Sequence, residues 1–196
     1  MHSTIGYHFV KSAYGTWLPG DDRGHWSEAW DEQIGYIEPH MLHEGDPVRL
    51  RMARERMHHP EVRLTTEMIE VVEQTILRCV SESPWSIVAG LIERTHVHLL
   101  ISYTTRDIYK SMKWLAQEMT KDIHRFMRHQ GPVWSEGKWL QFLFDQTHWR
   151  NTIAYIERHN IRRGLGPRPY AFLGSETGMT FPALFNCPTA RGASPW

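Results

Sequence analysis

Two groups of residues in this chain have the types and spacing to act on a phosphate ester. The first is His96-Val97-His98. In an extended strand residues i and i+2 project from one face, so both imidazoles stand together while Val97 points the other way. Two imidazole nitrogens at that spacing suit two ligands of a single metal ion. The second is Tyr155 with His159, on a stretch that also carries Arg150, Arg158, Arg162 and Arg163. Residues four apart share a helix face. His159 could therefore bring a third ligand while the tyrosine hydroxyl is held over the metal, and the arginines suit phosphate oxygens. Each motif also has an ordinary reading. With 13 histidines in 196 residues, roughly one His-x-His arises by chance. A lone tyrosine is more often a half-buried core residue than a nucleophile.

The elements that must position these residues follow from hydrophobic periodicity. Residues 4–18 are rich in Tyr, Phe, Val and Trp, end at Pro19-Gly20, and read as a first strand. Residues 21–60 are polar and read as a long insertion, part of it (47–57) helical. A helix opens at Thr65, with Met68, Ile69, Val72, Ile76, Leu77 and Val80 on a 3.6-residue period. Strands follow at 85–93 and 96–103 with a tight turn between them. A second helix spans 107–129, with Ile108, Met112, Leu115, Met119, Ile123 and Phe126 inward. A strand or hairpin covers 133–144, bent at Gly137, and a third helix covers 147–163, closed by Gly164. The order implies an α+β fold: a ferredoxin-like βαββαβ antiparallel sheet with an extra C-terminal helix. That helix, carrying Tyr155, is expected across the open face of the sheet. Residues 1–166 form a single domain with 22–63 inserted, and 167–196 a Gly- and Pro-rich tail that wraps the surface.

Composition agrees with a globular protein of one domain. The formal charge is zero, but residues 1–104 hold 9 Lys/Arg against 15 Asp/Glu, and residues 105–168 hold 12 against 6. The second half thus has the balance expected where phosphates bind, and Lys113 and Lys121 of the second helix join the candidate DNA contacts. The bland reading is a pair of solvated helices. No apolar run reaches the length that crosses a membrane. The first residues lack the pattern of a secretory signal, and Cys79 and Cys187 form no spacing motif, so a reduced, cytoplasmic chain is expected. Trp114, Trp134, Trp139 and Trp149 could stack on bases. His58, His59, His124 and His129 are expected at the surface, and His148 lies near the start of the Tyr155 helix.

The combination of a strand His-x-His and a basic helix with Tyr and His four apart resembles the single-tyrosine HUH transposases. Among these it is most similar to the REP-associated tyrosine transposases. His96-Val97-His98-Leu99-Leu100 follows their strand motif, and Tyr155, Ile156, Gly164 and Leu165 match their helix motif Tyr-Ile-x-x-Asn-Pro-x-x-Ala-Gly-Leu. Tyr14-Gly15-Thr16-Trp17-Leu18-Pro19-Gly20-Asp21 looks like a variant of the family's opening strand. The family's Asn is His159 here, and its Pro is Asn160. The resemblance implies a metal-dependent enzyme that cuts and rejoins single-stranded DNA beside hairpins through a 5′-phosphotyrosine. Tyr155 would be the nucleophile, and His96, His98 and His159 would hold Mg²⁺ or, with the softer histidine donor, Mn²⁺. A monomer or a homodimer would serve. A domesticated relative that nicks or binds structured nucleic acid would use the same residues. A non-catalytic nucleic-acid-binding module would instead place aromatic residues where the histidines stand. A metal-dependent hydrolase would form no covalent adduct.

Overall fold

The computed structural model describes residues 3–26, 42–137 and 139–174. Alternating burial starts the sheet. In β1 (Gly6–Ser12) Tyr7 and Phe9 enter one core and His8 and Val10 face the other side. Two short strands, β2 (His25–Trp26) and β3 (Leu42–His43), pair with each other apart from the main sheet. Helix α1 (Pro47–Glu55) begins where the Asp46 carboxylate accepts from the amides of Val48 and Arg49. Helix α2 (Thr66–Ser81) is capped by Thr65 and buries Met68, Val72, Thr75, Ile76 and Cys79. Strand β4 (Ile87–Ile92) is buried at every position, as expected of a strand covered on both faces, and β5 (His96–Ser102) returns beside it. Helix α3 (Ile108–Met127) starts at the Asp107 cap, and after β6 (Trp139–Leu143) helix α4 (Gln146–Arg162) starts at the Asp145 cap.

The four longer strands form one antiparallel sheet in the order β4-β5-β1-β6. Period-2 alternation sends their side chains into two separate cores. Val97, Leu99 and Ile101 of β5 join Phe9, Val72, Ile76, Met112, Leu115 and Met119 beneath α2 and α3. Leu100, Leu91 and Leu143 join Trp149 and Ile156 of α4 on the opposite face. The last helix therefore covers the face that α2 and α3 leave open, and the His96–His98 side of β5 looks towards it.

Several expectations change. Phe126 was expected inward, but it is 60% exposed. The helical period continues past the edge of the core, and the ring lies under the Arg125 guanidinium instead. The first strand is shorter than residues 4–18: beyond Ser12 the chain turns, with Gly15 at φ +75°. The start of the tail does more than wrap the surface. Tyr170 and Phe172 are buried in the α2–α3 core, and the Tyr170 hydroxyl accepts from the Ile92 amide at 3.0 Å. Val62, within the expected insertion, and Leu64, just past it, enter the same core. Cys187 and the rest of the tail lie outside the described residues. No helix among the described residues is long and apolar enough to cross a membrane.

Candidate active site

The site is built where β5 meets α4. His96 and His98 stand on the same face of β5 with ring centroids 4.7 Å apart. Tyr155, on the second half of α4, lies over His98: its ring is 5.8 Å from that of His98 and 4.6 Å from that of His159. Tyr155 is 41% exposed, so its hydroxyl is open to a substrate, whereas His98 is 8% exposed. The helix is held by Trp149 and Ile156 in the second core. It is also held by Asn160, whose Nδ2 donates to the carbonyls of Gly90 and Pro167, each at 3.0 Å. Gly6 lets Trp149 seat directly on β1, since a side chain there would collide with the indole.

Hydrogen bonds fix the two strand imidazoles at Nδ1. His96 Nδ1 pairs with Thr95 Oγ1 at 2.8 Å, and His98 Nδ1 pairs with His8 Nε2 at 2.9 Å. That leaves the Nε2 atoms as the available metal donors, the arrangement usual for ligating histidines whose other ring nitrogen is engaged. Burial holds His98 down at about 2 and His8 at about 4. Burial also lowers His96, partly offset by the Glu93 carboxylate. Neutral imidazoles are the ligating form, so the donor set fits a divalent ion at two positions. The third is less closed. His159 Nδ1 faces Glu93 Oε1 at 3.8 Å, and among the described residues no group of three or more His, Cys, Asp and Glu side chains is gathered closely enough to hold a metal. His159 thus sits beside Tyr155 without being drawn into one cluster with His96 and His98.

The Tyr155 hydroxyl is raised above its ordinary value, first by burial and then by the Glu93 charge, against a smaller opposing effect of Arg162. Glu93 carries this effect from the β4–β5 turn and was not singled out by the sequence. Neither were His8, Thr95, Asn160 or Arg23, whose charge bears on His96. Thr95, adjacent to the His-x-His, and Asn160, next to His159 in the tyrosine motif, had a local signal.

The positive charge of residues 105–168 divides between two faces. Arg150, Arg158, Arg162 and Arg163 are exposed on or next to α4, on the histidine side. Lys113 and Lys121 are exposed on α3, which covers the other face, and Lys121 pairs with Glu118 at 2.7 Å. Two of the proposed stacking tryptophans are unavailable: Trp149 and Trp134 are 4% and 8% exposed. The first fills the space above Gly6, and the second packs in the core beside Val133. Trp114 is partly buried against that core, while Trp139 is 42% exposed. Trp139 meets His8 edge-on at 5.0 Å. His148 lies close enough for its charge to bear on His8.

No curated protein matches the chain. Among solved structures, it is similar to a REP-associated tyrosine transposase bound to a REP hairpin. That match has 14% identity and a TM-score of 0.47, and covers 84% of this chain and 72% of the other. It is also similar to a protein described as a transposase from Deinococcus radiodurans R1, at 12% identity and a TM-score of 0.44, covering 81% and 92%. Residues 57–159, more than half of the chain and spanning His96, His98, Tyr155 and His159, match the family described as transposase IS200-like, and the chain belongs to that family.

Proposed function

We propose that the protein is a metal-dependent transposase that cuts and rejoins single-stranded DNA through Tyr155. The observation that carries this reading is Tyr155, 41% exposed on α4, over buried His98 of β5, which stands beside half-buried His96. Membership of the transposase family supports it independently. The sheet order β4-β5-β1-β6, with α2 and α3 on one face and α4 on the other, supports a ferredoxin-like core with an added tyrosine helix.

His96 and His98 would hold the metal through Nε2, and His159, which faces Glu93 in this structure, would have to turn from it to add a third donor. When bound, the ion supplies Lewis-acid polarisation of the scissile phosphate and positive charge beside the phenol. The Tyr155 oxygen would attack phosphorus as its proton passes to solvent water. The P–O3′ bond breaks, and the departing oxygen takes up a proton to become a 3′-hydroxyl. The 5′-phosphate stays esterified to Tyr155, so the phosphodiester energy is kept for joining to another 3′-hydroxyl. Arg162, whose charge bears on the Tyr155 hydroxyl, and the exposed Arg163, which donates to the Ile92 carbonyl, would bind the neighbouring backbone phosphates. A hairpin beside the cut, as the sequence resemblance implies, would leave the required single strand at its foot.

The test is incubation of end-labelled single-stranded hairpin DNA with the protein and Mn²⁺, followed by a denaturing gel. The expected result is a covalent protein–DNA adduct that disappears in Tyr155→Phe, while DNA binding persists and Tyr103→Phe stays active. Cleavage by Tyr155→Phe at the normal rate, or release of a free 5′-phosphate with no adduct, would make water or another residue the nucleophile.

A further inference from the structure

His8 is a buried polar side chain at a strand position where an aliphatic residue would pack. It is 6% exposed, on the face of β1 that looks towards α4. The register pairs Val10 with His98 and His8 with Leu100, so His8 lies diagonally across the ladder from His98. The two rings are stacked at 5.1 Å, and His8 Nε2 meets His98 Nδ1 at 2.9 Å. Trp139 closes against His8 from β6.

A hydrogen bond between two neutral imidazoles needs one N–H and one lone pair, so the tautomer of one ring dictates that of the other. Were His8 the donor, the His98 proton would sit on Nε2 and that nitrogen could not ligate. Were His98 the donor, its Nε2 would carry a bare lone pair. His96 has the matching arrangement, with Nδ1 held by the Thr95 hydroxyl, which can accept. We propose that His8 is a positioning residue: its Nε2 accepts the His98 Nδ1–H and fixes His98 in the tautomer whose Nε2 can bind a metal. This rests on the metal-dependent reading above and adds to it a residue that touches neither metal nor DNA.

The position admits two informative variants. Gln places a carbonyl oxygen near where the His8 Nε2 stood and can accept the same bond. Leu has a similar bulk and cannot. Three quantities are measured on wild type, His8→Gln and His8→Leu: the ¹⁵N shifts of His98 in the metal-free protein, Mn²⁺ affinity by titration, and the thermal midpoint as a control for folding. Wild type and His8→Gln are expected to show a protonated Nδ1 and a bare Nε2 at His98, and to bind Mn²⁺ within a few-fold of each other. In His8→Leu the tautomers mix and Mn²⁺ affinity falls about 10–100-fold, the usual effect of losing such an orienting partner. A bare Nδ1 on His98 in wild type would overturn the proposal and leave the metal reading standing, as would undiminished Mn²⁺ affinity in a folded His8→Leu. Wild type that bound no divalent ion would overturn both, and the ¹⁵N shifts would still report which ring donates.

Discussion

Asn160 is the buried clamp that docks the tyrosine helix, and Asn160→Asp tests how much depends on it. The side chain is fully buried, and its Nδ2 serves two carbonyls, Gly90 of β4 and Pro167 beyond the helix. The substitution keeps size and shape but turns the shared donor into an acceptor facing two acceptors. Losing two hydrogen bonds costs about 1 kcal/mol each. Burying a carboxylate without a partner adds about 2–3 kcal/mol even after the structure relaxes and the group partly neutralises. The sum is about 4–5 kcal/mol against a total stability of about 5–15 kcal/mol. Urea unfolding at pH 7.5 should show that loss as a lowered midpoint, and adduct formation should fall because Tyr155 and His159 ride on the same helix. A loss below about 1 kcal/mol would mean that Trp149 and Ile156 dock α4 unaided, and that the clamp argument is wrong.

Acid should destabilise the metal-free protein. His8 and His98 are held well below the ordinary imidazole value, first by burial, and then by His148 for His8 and by His8, His96 and His159 for His98. The unfolded chain then binds more protons below about pH 6.5, so stability is full above that pH and falls as pH drops, by about 1.4 kcal/mol per unit for each imidazole. Urea midpoints in EDTA that stay flat between pH 7 and 5.5 would contradict this. Reversing Arg162 and Arg163 to Glu should weaken single-strand binding and flatten its salt dependence. Reversing Lys113 and Lys121, on the other face, should do less, and the opposite ranking in a salt titration would move the DNA path to α3. Glu93→Gln should lower the Tyr155 pKa, because the carboxylate helps to raise it. An unchanged Tyr155 ring-carbon titration by NMR would show that burial alone sets the value.

What could be read from the sequence was what depends on local periodicity. The i, i+2 rule put His96 and His98 on one face, and the i, i+4 rule put His159 beside Tyr155. Once β5 was a strand and α4 a helix, both relations were fixed. What escaped depends on register between distant segments. His8 reaches His98 only because β1 pairs antiparallel with β5 at one offset, and Asn160 finds Gly90 only because α4 lies across β4. Glu93 reaches His159 from a turn far away in sequence. Trp149 and Trp134 misled for a related reason: an indole with a polar neighbour, such as Arg150 or Ser135, gives no local sign of whether it caps a core or faces solvent. Phe126 kept the helical period after the sheet beneath it had ended. Tyr170 and Phe172 lie in a Gly- and Pro-rich stretch whose composition gave no hint of a core contribution.

The packing of α4 on the sheet has two opposed effects on the site. It takes His96 and His98 out of water, which keeps them neutral and able to ligate. The same burial, together with Glu93, makes Tyr155 harder to ionise. Left to itself, the pocket therefore prepares the ligands and holds back the nucleophile. On the proposed reading these are parts of one control. The phenol becomes reactive only when positive charge is present beside it, so an empty site has little tendency to attack DNA that happens to enter. Exposure decides the rest. The histidines sit below the surface and the tyrosine at it, so a single strand laid along the arginines of α4 meets the hydroxyl before anything else. The arginines cannot take over the activating role, because Arg162 lowers the phenol by less than burial and Glu93 raise it.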